Sequence, residues 1–244
     1  MRIKKPVLIL CVLISSFSFA QSAGFAQSFW DSLALGLEQD IGRNNYESIT
    51  AQKRVVHLPP DQTEHYNNLF NKLVAQCSRR DELHFSLTVV QDDSVNAFAL
   101  PGGYVFVNTG LLSYIKNDSE LAGVLGHEIA HIDRRHSMQA IYRSVGFSVI
   151  LGLLLNKGSD RNEQLGQLAA ISLSLAQLGY SRDAEYEADR YGVGFMQKAG
   201  YNKEDLVNFW QRFLAQNGDT PGALTFLSTH PPTSERIKKI EALP

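Results

Sequence analysis

The sequence predicts an α+β fold, in which a small sheet lies beside a mostly helical body. Alternating apolar residues, which are typical of strands, are confined to residues 83–110, whereas helical periodicity dominates the segments on both sides. The composition, 44% hydrophobic and 20% charged, is ordinary for a globular protein with a buried core. A formal net charge of -2 offers no basic surface for nucleic acid, so no nucleic-acid partner is expected.

The N-terminus has the anatomy of a secretory signal peptide. Three basic residues within the first five precede an apolar run that ends at about Ala20, and small residues follow. We expect cleavage after residues 1–20, or as late as residue 26, and a single mature domain over residues 27–244. The protein is then exported, to a periplasm or to the medium. The alternative is an uncleaved membrane anchor, for which the apolar run is short of the roughly 20 residues that span a bilayer.

The predicted elements follow one another as helices, then three strands, then further helices. Pro59 and Pro60 separate the first two helices, and a Pro-Gly-Gly turn separates the second and third strands. Asn117, three residues before Glu120, forms a capping-box arrangement at the start of a long helix. The predicted strands cover residues 83–91, 95–100 and 104–110, and the predicted helices cover residues 28–42, 61–77, 117–141, 162–182, 183–200, 202–216 and 232–243.

Two histidines four positions apart predict a metal site. His127 and His131, in the segment LGHEIAHIDRRH, lie on one face of the long helix, about 6 Å apart along its axis. At that spacing two imidazole nitrogens converge on one zinc ion. Glu128 is placed to contact a water on the metal, as the general base of the His-Glu-x-x-His arrangement. The alternative is a chance pattern on a helix with a charged, solvated face.

His136 is not expected to be the third ligand. On an unbroken helix it is rotated away from the face of His127 and His131. The chain also lacks the glycine turn that precedes a third histidine in the longer version of this motif. We therefore expect His136 to be a solvent-facing or capping histidine.

The third ligand is predicted on the helix over residues 183–200, where four acids are crowded together. Its periodicity places Asp183 and Glu187 on a polar stripe, which is expected to be solvated. Glu185 and Asp189 fall on a second stripe that is otherwise small and apolar. Two inward-facing carboxylates are costly unless they are paired or bound to a metal.

These two inward-facing acids receive separate roles. We predict that Glu185 binds the zinc, and that Asp189 accepts a hydrogen bond from the distal nitrogen of a ligand histidine. Three protein ligands leave the fourth position to water, which is the arrangement of catalytic zinc sites. The alternative is a buried salt bridge to Arg182 or Arg190.

Four segments of the chain occur in the same order in a known group of peptidases: HEIAH, SRDAEYEAD, NAFALPGGYVFVNTGLL and STHPPTSERI. From roughly residue 50 onward, the sequence resembles zinc metallopeptidases of the HtpX, BepA and CAAX-prenyl-protease type. The resemblance implies a zincin-like (gluzincin) fold with one zinc ion, the ligands His127, His131 and Glu185, the base Glu128 and the supporting residue Asp189. Membrane docking and assembly-machine partners are not expected to carry over, because the transmembrane helices and helical repeats of some members have no counterpart here.

His230 lies in the last of these segments, before two prolines that hold the preceding backbone extended. In the resembling family this histidine is able to approach the metal. It would then occupy the fourth position in a resting state, or donate to the developing oxyanion. The alternative is an ordinary loop histidine near the start of a helix.

The segment NAFALPGGYVFV is predicted to supply the edge strand beside the cleft. Peptidases of this architecture hold substrate as an added strand, through main-chain hydrogen bonds. Asn96, Ala97 and Phe98 are the predicted lining residues, although an internal hairpin explains them equally well. Gly102 and Gly103 are explained by turn geometry.

Together these predictions describe an exported zinc metalloendopeptidase that hydrolyses unfolded or misfolded polypeptides in protein quality control. The apolar residues 144–155 are too short to span a membrane, and we expect a buried helix or a flap with peripheral membrane contact there. Residues 144–178 as a whole connect the two predicted metal-binding helices and are a candidate lid. The rival is a zinc-stabilised periplasmic chaperone or binding module with a latched, inactive site. Glu128 favours the peptidase, because a structural zinc needs no uncoordinated glutamate beside it.

Overall fold

The computed structural model describes residues 31–146, 150, 152, 160–178, 180–217, 230 and 234–244. The chain divides into two compact units, one ending at Leu37 and the other covering Glu38–Pro244. Only the start of a helix is described in the first unit. The predicted signal peptide, and most of the apolar residues 144–155, lie outside the described residues.

The described elements confirm the prediction of a mostly helical α+β fold with a small sheet. The strands are β1 (Ser86–Val90), β2 (Ala97–Ala99) and β3 (Tyr104–Asn108). The helices are α1 (residues 31–52), α2 (Pro60–Val74), α3 (Thr109–Tyr114), α4 (Asp118–Asp133), α5 (His136–Val145), α6 (Asp160–Leu178), α7 (Arg182–Lys198), α8 (Lys203–Asn217) and α9 (Ser234–Glu241). Among the described residues, no helix is both long and apolar enough to cross a membrane.

The sheet is mixed, with the strand order β1-β3-β2. β1 runs parallel to β3, and β2 runs antiparallel to it, so β2 lies at an edge. The Pro-Gly-Gly turn between β2 and β3 has φ values of 81° at Gly102 and 100° at Gly103. Both values lie in the region that favours glycine, which accounts for the two glycines as the sequence predicted.

Apolar side chains of the sheet pack into a core cluster with α1. Phe98 of β2 and Phe106 of β3 stack with their ring centroids 5.1 Å apart, and both are buried. Ile49, Val90 and Leu100 complete the buried part of this cluster. Aromatic stacking of this kind fixes the register of neighbouring strands as well as contributing apolar burial.

Helix α4 is the central element of the larger unit, and every residue from Glu120 to Asp133 is buried. The predicted cap is present at its start, where the backbone N–H of Glu120 donates to Asn117 Oδ1 at 2.9 Å. The carboxylate of Glu120 does not accept from the backbone N–H of Asn117, as a complete capping box requires. This carboxylate accepts instead from the backbone N–H of Lys116.

The long helix predicted over residues 117–141 is broken, and α5 starts afresh at His136. Arg135 adopts the left-handed conformation, with φ of 57°. At the break, the carbonyl of Ile132 accepts from the backbone N–H of Arg135 and from the guanidinium of Arg79. The side chain of Asp133 accepts from both the backbone N–H and the hydroxyl of Ser78. Contacts with a distant loop therefore hold the end of the helix.

Candidate metal centre

Helices α4 and α7 approach each other backbone to backbone. A Cβ atom added to Gly192 would lie 2.7 Å from the backbone nitrogen of His127, and one added to Gly126 would lie 2.8 Å from the carbonyl oxygen of Gly192. Only glycine permits this approach. The crossing brings Glu185 and Asp189 of α7 against the histidine face of α4.

Four buried side chains converge at this crossing: His127, His131, Glu185 and His230. Each offers one ligand atom, and these atoms all lie within 4.8 Å of one another. The Nε2 atoms of His127 and His131 are 3.0 Å apart, and Nε2 of His131 is 3.6 Å from Oε1 of Glu185. The structure thus brings together the three predicted ligands, with His230 as a fourth donor.

The donor set and its spacing fit a zinc ion. Zinc binds imidazole nitrogen and carboxylate oxygen at about 2.1 Å, which places tetrahedral ligand atoms about 3.4 Å apart. Nδ1 of His230 lies 3.3 Å from Nε2 of His127 and 3.0 Å from Oε1 of Glu185. All four side chains are buried. These residues can therefore hold a zinc ion with little rearrangement.

Asp189 holds the side of the His127 ring that faces away from the cluster. Its Oδ1 lies 3.0 Å from Nδ1 of His127, which is the contact that the sequence predicted for this residue. Burial alone would lower the pKa of His127, but hydrogen bonds to Asp189 and Glu185 raise it to about 9. Burial likewise opposes ionisation of Asp189, yet the charge of Arg236 holds the pKa of that carboxyl below its usual range.

Arg236 of α9 is the functional residue that the helical-stripe argument missed. It is only 3% exposed and binds Asp189 through two hydrogen bonds, of 2.7 Å from Nε and 2.6 Å from Nη2. Its Nη1 lies 2.9 Å from Oε2 of Glu185 and donates to the carbonyl of His230 at 3.0 Å. The cation that compensates the two inward acids is therefore Arg236, while Arg182 and Arg190 are exposed. Arg236 lies in the segment STHPPTSERI, so the family resemblance was the feature of the sequence that could have identified it.

Glu128 lies beside the cluster and outside it. Its side chain is fully buried, and neither carboxylate oxygen has a hydrogen-bonding partner of good geometry among the described residues. Nε2 of His230 is 3.4 Å from Oε1. Burial raises the pKa of Glu128, although the charges of His230 and His127 oppose the shift. A carboxylate with a raised pKa is suited to accept a proton and return it.

The outer side of His131 is held by residues that the sequence did not predict. Nδ1 of His136 lies 2.9 Å from Nδ1 of His131, and Tyr180 stacks on the His131 ring at a centroid distance of 4.2 Å. The expectation of a solvent-facing His136 is wrong, since this residue is 3% exposed. It assumed an unbroken helix, whereas the break before α5 turns His136 back toward the cluster. Burial and the neighbouring His127 hold the pKa of His131 well below its usual range.

The strand β2 lies at the edge of the sheet and packs against α4. The carbonyl of Asn96 accepts from Asn108, and Phe98 pairs directly with Phe106 of β3. By the alternation of an antiparallel ladder, the N–H and C=O groups of Ala97 and Ala99 point away from β3, toward the outer edge. Of the predicted lining residues, only Ala97 has this orientation, and the sequence reasoning missed Ala99.

Comparisons with known proteins agree with this geometry. A family model described as peptidase family M48 matches residues 60–243. The mitochondrial metalloendopeptidase OMA1 of Schizosaccharomyces pombe is 33% identical over 214 residues, which are 87% of this chain and 62% of the relative. The beta-barrel assembly-enhancing protease of Yersinia pestis is 32% identical over 216 residues, which are 84% of this chain and 43% of the relative.

The corresponding beta-barrel assembly-enhancing protease of Escherichia coli strain K12 is 29% identical over 235 residues, covering 90% of this chain and 47% of the relative. The chain therefore spans between 43% and 62% of the length of these curated relatives. The residues that match the family model, 60–243, include all four converging side chains.

Proposed function

Because this chain belongs to peptidase family M48, we propose that it is a zinc-dependent metalloendopeptidase. His127, His131 and Glu185 bind the zinc, and Glu128 is the general base. The observation that carries this proposal is the pairing of a buried, converging donor set with a buried carboxylate that does not belong to it. A purely structural zinc site has no use for such a carboxylate.

The proposed reaction is hydrolysis of a peptide bond. Bound zinc supplies Lewis-acid chemistry, in that it polarises the scissile carbonyl and lowers the pKa of a water molecule. Glu128 accepts the proton of the attacking water and returns it to the leaving amine, for which its raised pKa is suited. Asp189 and Arg236 keep the His127 ring in place during these steps.

We propose that the substrates are unfolded or misfolded polypeptides. The main-chain groups of Ala97 and Ala99 point toward the outer edge of β2, and Ala99 lies against Glu128. A substrate can add to this edge only if its backbone is extended and unpaired. Folded proteins rarely present such segments, which favours a role in protein quality control. The relatives from Yersinia pestis and Escherichia coli are named for beta-barrel assembly.

We further propose that the protein is exported. The support is the sequence of its N-terminus, with basic residues followed by an apolar run and small residues. N-terminal sequencing of the protein recovered from the exported fraction tests this. A first residue between positions 21 and 27 is expected, whereas an intact Met1 in the cytoplasmic fraction would contradict export.

His230 gives the second candidate function its support. As the fourth donor of the cluster, it stands where a water or a substrate carbonyl would have to enter. Zinc sites with four protein ligands are structural. A chaperone or binding module with a latched site is therefore the alternative, and release of His230 is the step that would distinguish a resting peptidase from it.

The experiment that separates these functions compares three zinc-loaded proteins on unfolded casein: wild type, Glu128→Gln and His230→Ala. The proposal expects Glu128→Gln to retain zinc and lose at least 100-fold in cleavage rate, since general base catalysis contributes about 10² to 10⁴. It expects His230→Ala to cleave faster than wild type if this side chain is a latch. Zinc binding and suppression of aggregation without cleavage, in both wild type and His230→Ala, would favour the binding module.

A further inference from the structure

We propose that His136 is a positioning residue for the zinc site, which holds the His131 ring so that its Nε2 faces the metal without a proton. Glu187 and Arg134 hold His136 in turn. This inference rests on the proposed zinc function, and it concerns residues outside the converging cluster.

The contacts form a continuous chain from the cluster toward the surface. Nδ1 of His136 lies 2.9 Å from Nδ1 of His131, and its Nε2 lies 3.2 Å from Oε2 of Glu187. The other carboxylate oxygen of Glu187 accepts from Nε of Arg134 at 2.8 Å. The two histidines are buried, whereas Glu187 and Arg134 are about one-third exposed. The chain thus ends on groups that water can reach.

The positions of the protons follow from the donors and acceptors. A carboxylate has no proton to give, so Nε2 of His136 must donate to Glu187. A His131 ring that binds metal through Nε2 must carry its proton on Nδ1. The Nδ1–Nδ1 contact then permits one arrangement, in which His131 donates and His136 accepts. Each bond in the chain therefore selects the His131 tautomer that leaves Nε2 free for the metal.

The ring of His131 is also fixed in orientation. Tyr180 stacks on it with an interplanar angle of 22°, and the Tyr180 hydroxyl lies 2.5 Å from the hydroxyl of Ser137. Stacking restrains the tilt of the ring, and the bond to His136 restrains its rotation about the Cβ–Cγ axis. His136 belongs to the start of α5, and so does Ser137, which holds Tyr180. The break after α4 therefore places both groups that support His131.

A cavity of about 360 Å³ beside His136 and Tyr180 offers a matched control. Glu187 and Asp183 both line it, one helical turn apart on α7, but only Glu187 contacts His136. Substituting Asp183 with Asn removes a carboxylate from the same cavity and leaves the contacts from His131 through His136 to Glu187 unchanged. A general electrostatic effect of this cavity on zinc would therefore show in both positions.

The test measures zinc affinity by chelator competition in wild type, His136→Leu and His136→Asn. His136→Leu removes the acceptor, and a 10- to 100-fold loss of affinity is expected. His136→Asn places its Oδ1 where Nδ1 was, so it should recover most of the affinity. Glu187→Ala, a milder change near the surface, should lose several-fold, and Asp183→Asn should match wild type. Equal affinity in wild type, His136→Leu and Glu187→Ala would overturn the proposal.

A second readout needs no metal. In the metal-free protein with ¹⁵N-labelled histidine, long-range ¹H–¹⁵N spectra report which nitrogen of His131 carries the proton. The proposal expects the Nδ1–H form in wild type and in His136→Asn, and a mixture of forms in His136→Leu. A wild-type His131 with its proton on Nε2 would overturn it. A wild type that bound no zinc would instead refute the proposed function. These spectra would still test the hydrogen bonds that link His131, His136 and Glu187.

Discussion

The two histidines of the cluster lie one helical turn apart on α4, yet they are held by opposite kinds of partner. His127 is held by the carboxylate of Asp189, which the buried guanidinium of Arg236 clamps in turn. His131 is held by the neutral ring of His136, and through it by the half-buried Glu187. The inner side of the cluster, at His127, is thus a buried network of charges. On the outer side, at His131, the His136 ring leads to the Glu187–Arg134 ion pair near the surface.

The two sides are therefore expected to contribute differently to the stability of the protein. A buried charge that loses its partner costs far more than a surface charge that does, because water cannot replace the lost interaction. Substitutions on the inner side should therefore lower the free energy of unfolding as well as weaken metal binding. Substitutions on the outer side should weaken metal binding while leaving the fold nearly intact.

The largest effect is expected at Arg236. Replacing it with Met leaves the carboxylates of Asp189 and Glu185 buried without their cation, and should lower the free energy of unfolding by about 3–5 kcal/mol. Urea denaturation of the metal-free protein measures this. Arg190→Met, at an exposed position of α7, is the control and should change stability by less than about 0.5 kcal/mol. Equal effects in the two variants would remove the distinction between the two sides.

The second-largest effect on stability is expected at the crossing of α4 and α7. Gly192→Ala forces a Cβ atom against the backbone of His127, and should cost about 1–3 kcal/mol together with zinc affinity. Gly194→Ala is the matched control on the same helix, because its Cβ would meet no atom within 4 Å. There alanine should stabilise the helix by up to about 1 kcal/mol. Thermal unfolding of both variants is the measurement, and a stabilising Gly192→Ala would contradict the close crossing.

The pH dependence of zinc binding also distinguishes His127 from His131. Asp189 and Glu185 raise the pKa of His127 to about 9 in the metal-free protein, whereas His131 remains neutral. Zinc must displace the proton of His127, so its affinity should rise by roughly tenfold per pH unit and level off above about pH 9. Calorimetric titrations in buffers of different ionisation enthalpy count the released protons. In Asp189→Asn the plateau should begin at lower pH, and an unchanged profile would contradict the assigned partner.

The smallest change in stability is expected at Glu187. Its pair with Arg134 is about one-third exposed, so Glu187→Ala should alter the free energy of unfolding by less than about 1 kcal/mol. Urea denaturation beside the Arg236→Met variant gives the comparison directly. A loss as large as that of Arg236→Met would mean that the outer side is also a structural network.

The parts of the site that depend on local periodicity could be predicted from the sequence. The spacing of His127 and His131 fixes their common face on any helix, and the stripe that holds Glu185 and Asp189 is legible for the same reason. The cap at Asn117 is equally local. These features need no knowledge of what packs against the helix.

The parts that depend on distant contacts could not be predicted in this way. Arg236 reaches Asp189 from 47 residues along the chain, and no periodicity links the two. The end of α4, just before His136, is held by Arg79 and Ser78, whose contacts exist only in the folded chain. The orientation of Ala97 and Ala99 likewise follows from pairing with β3, since a strand alone does not determine which edge is free.

The zinc site is tested most directly by a crystal structure of the zinc-loaded protein, with anomalous diffraction recorded at the zinc edge. We expect one zinc peak between α4 and α7, bound by Nε2 of His127, Nε2 of His131 and the carboxylate of Glu185, with Glu128 outside bonding distance. We also expect Nδ1 of His131 to face His136. A zinc ion bound by His136 or Glu187, or one placed away from the α4–α7 crossing, would contradict the proposed site.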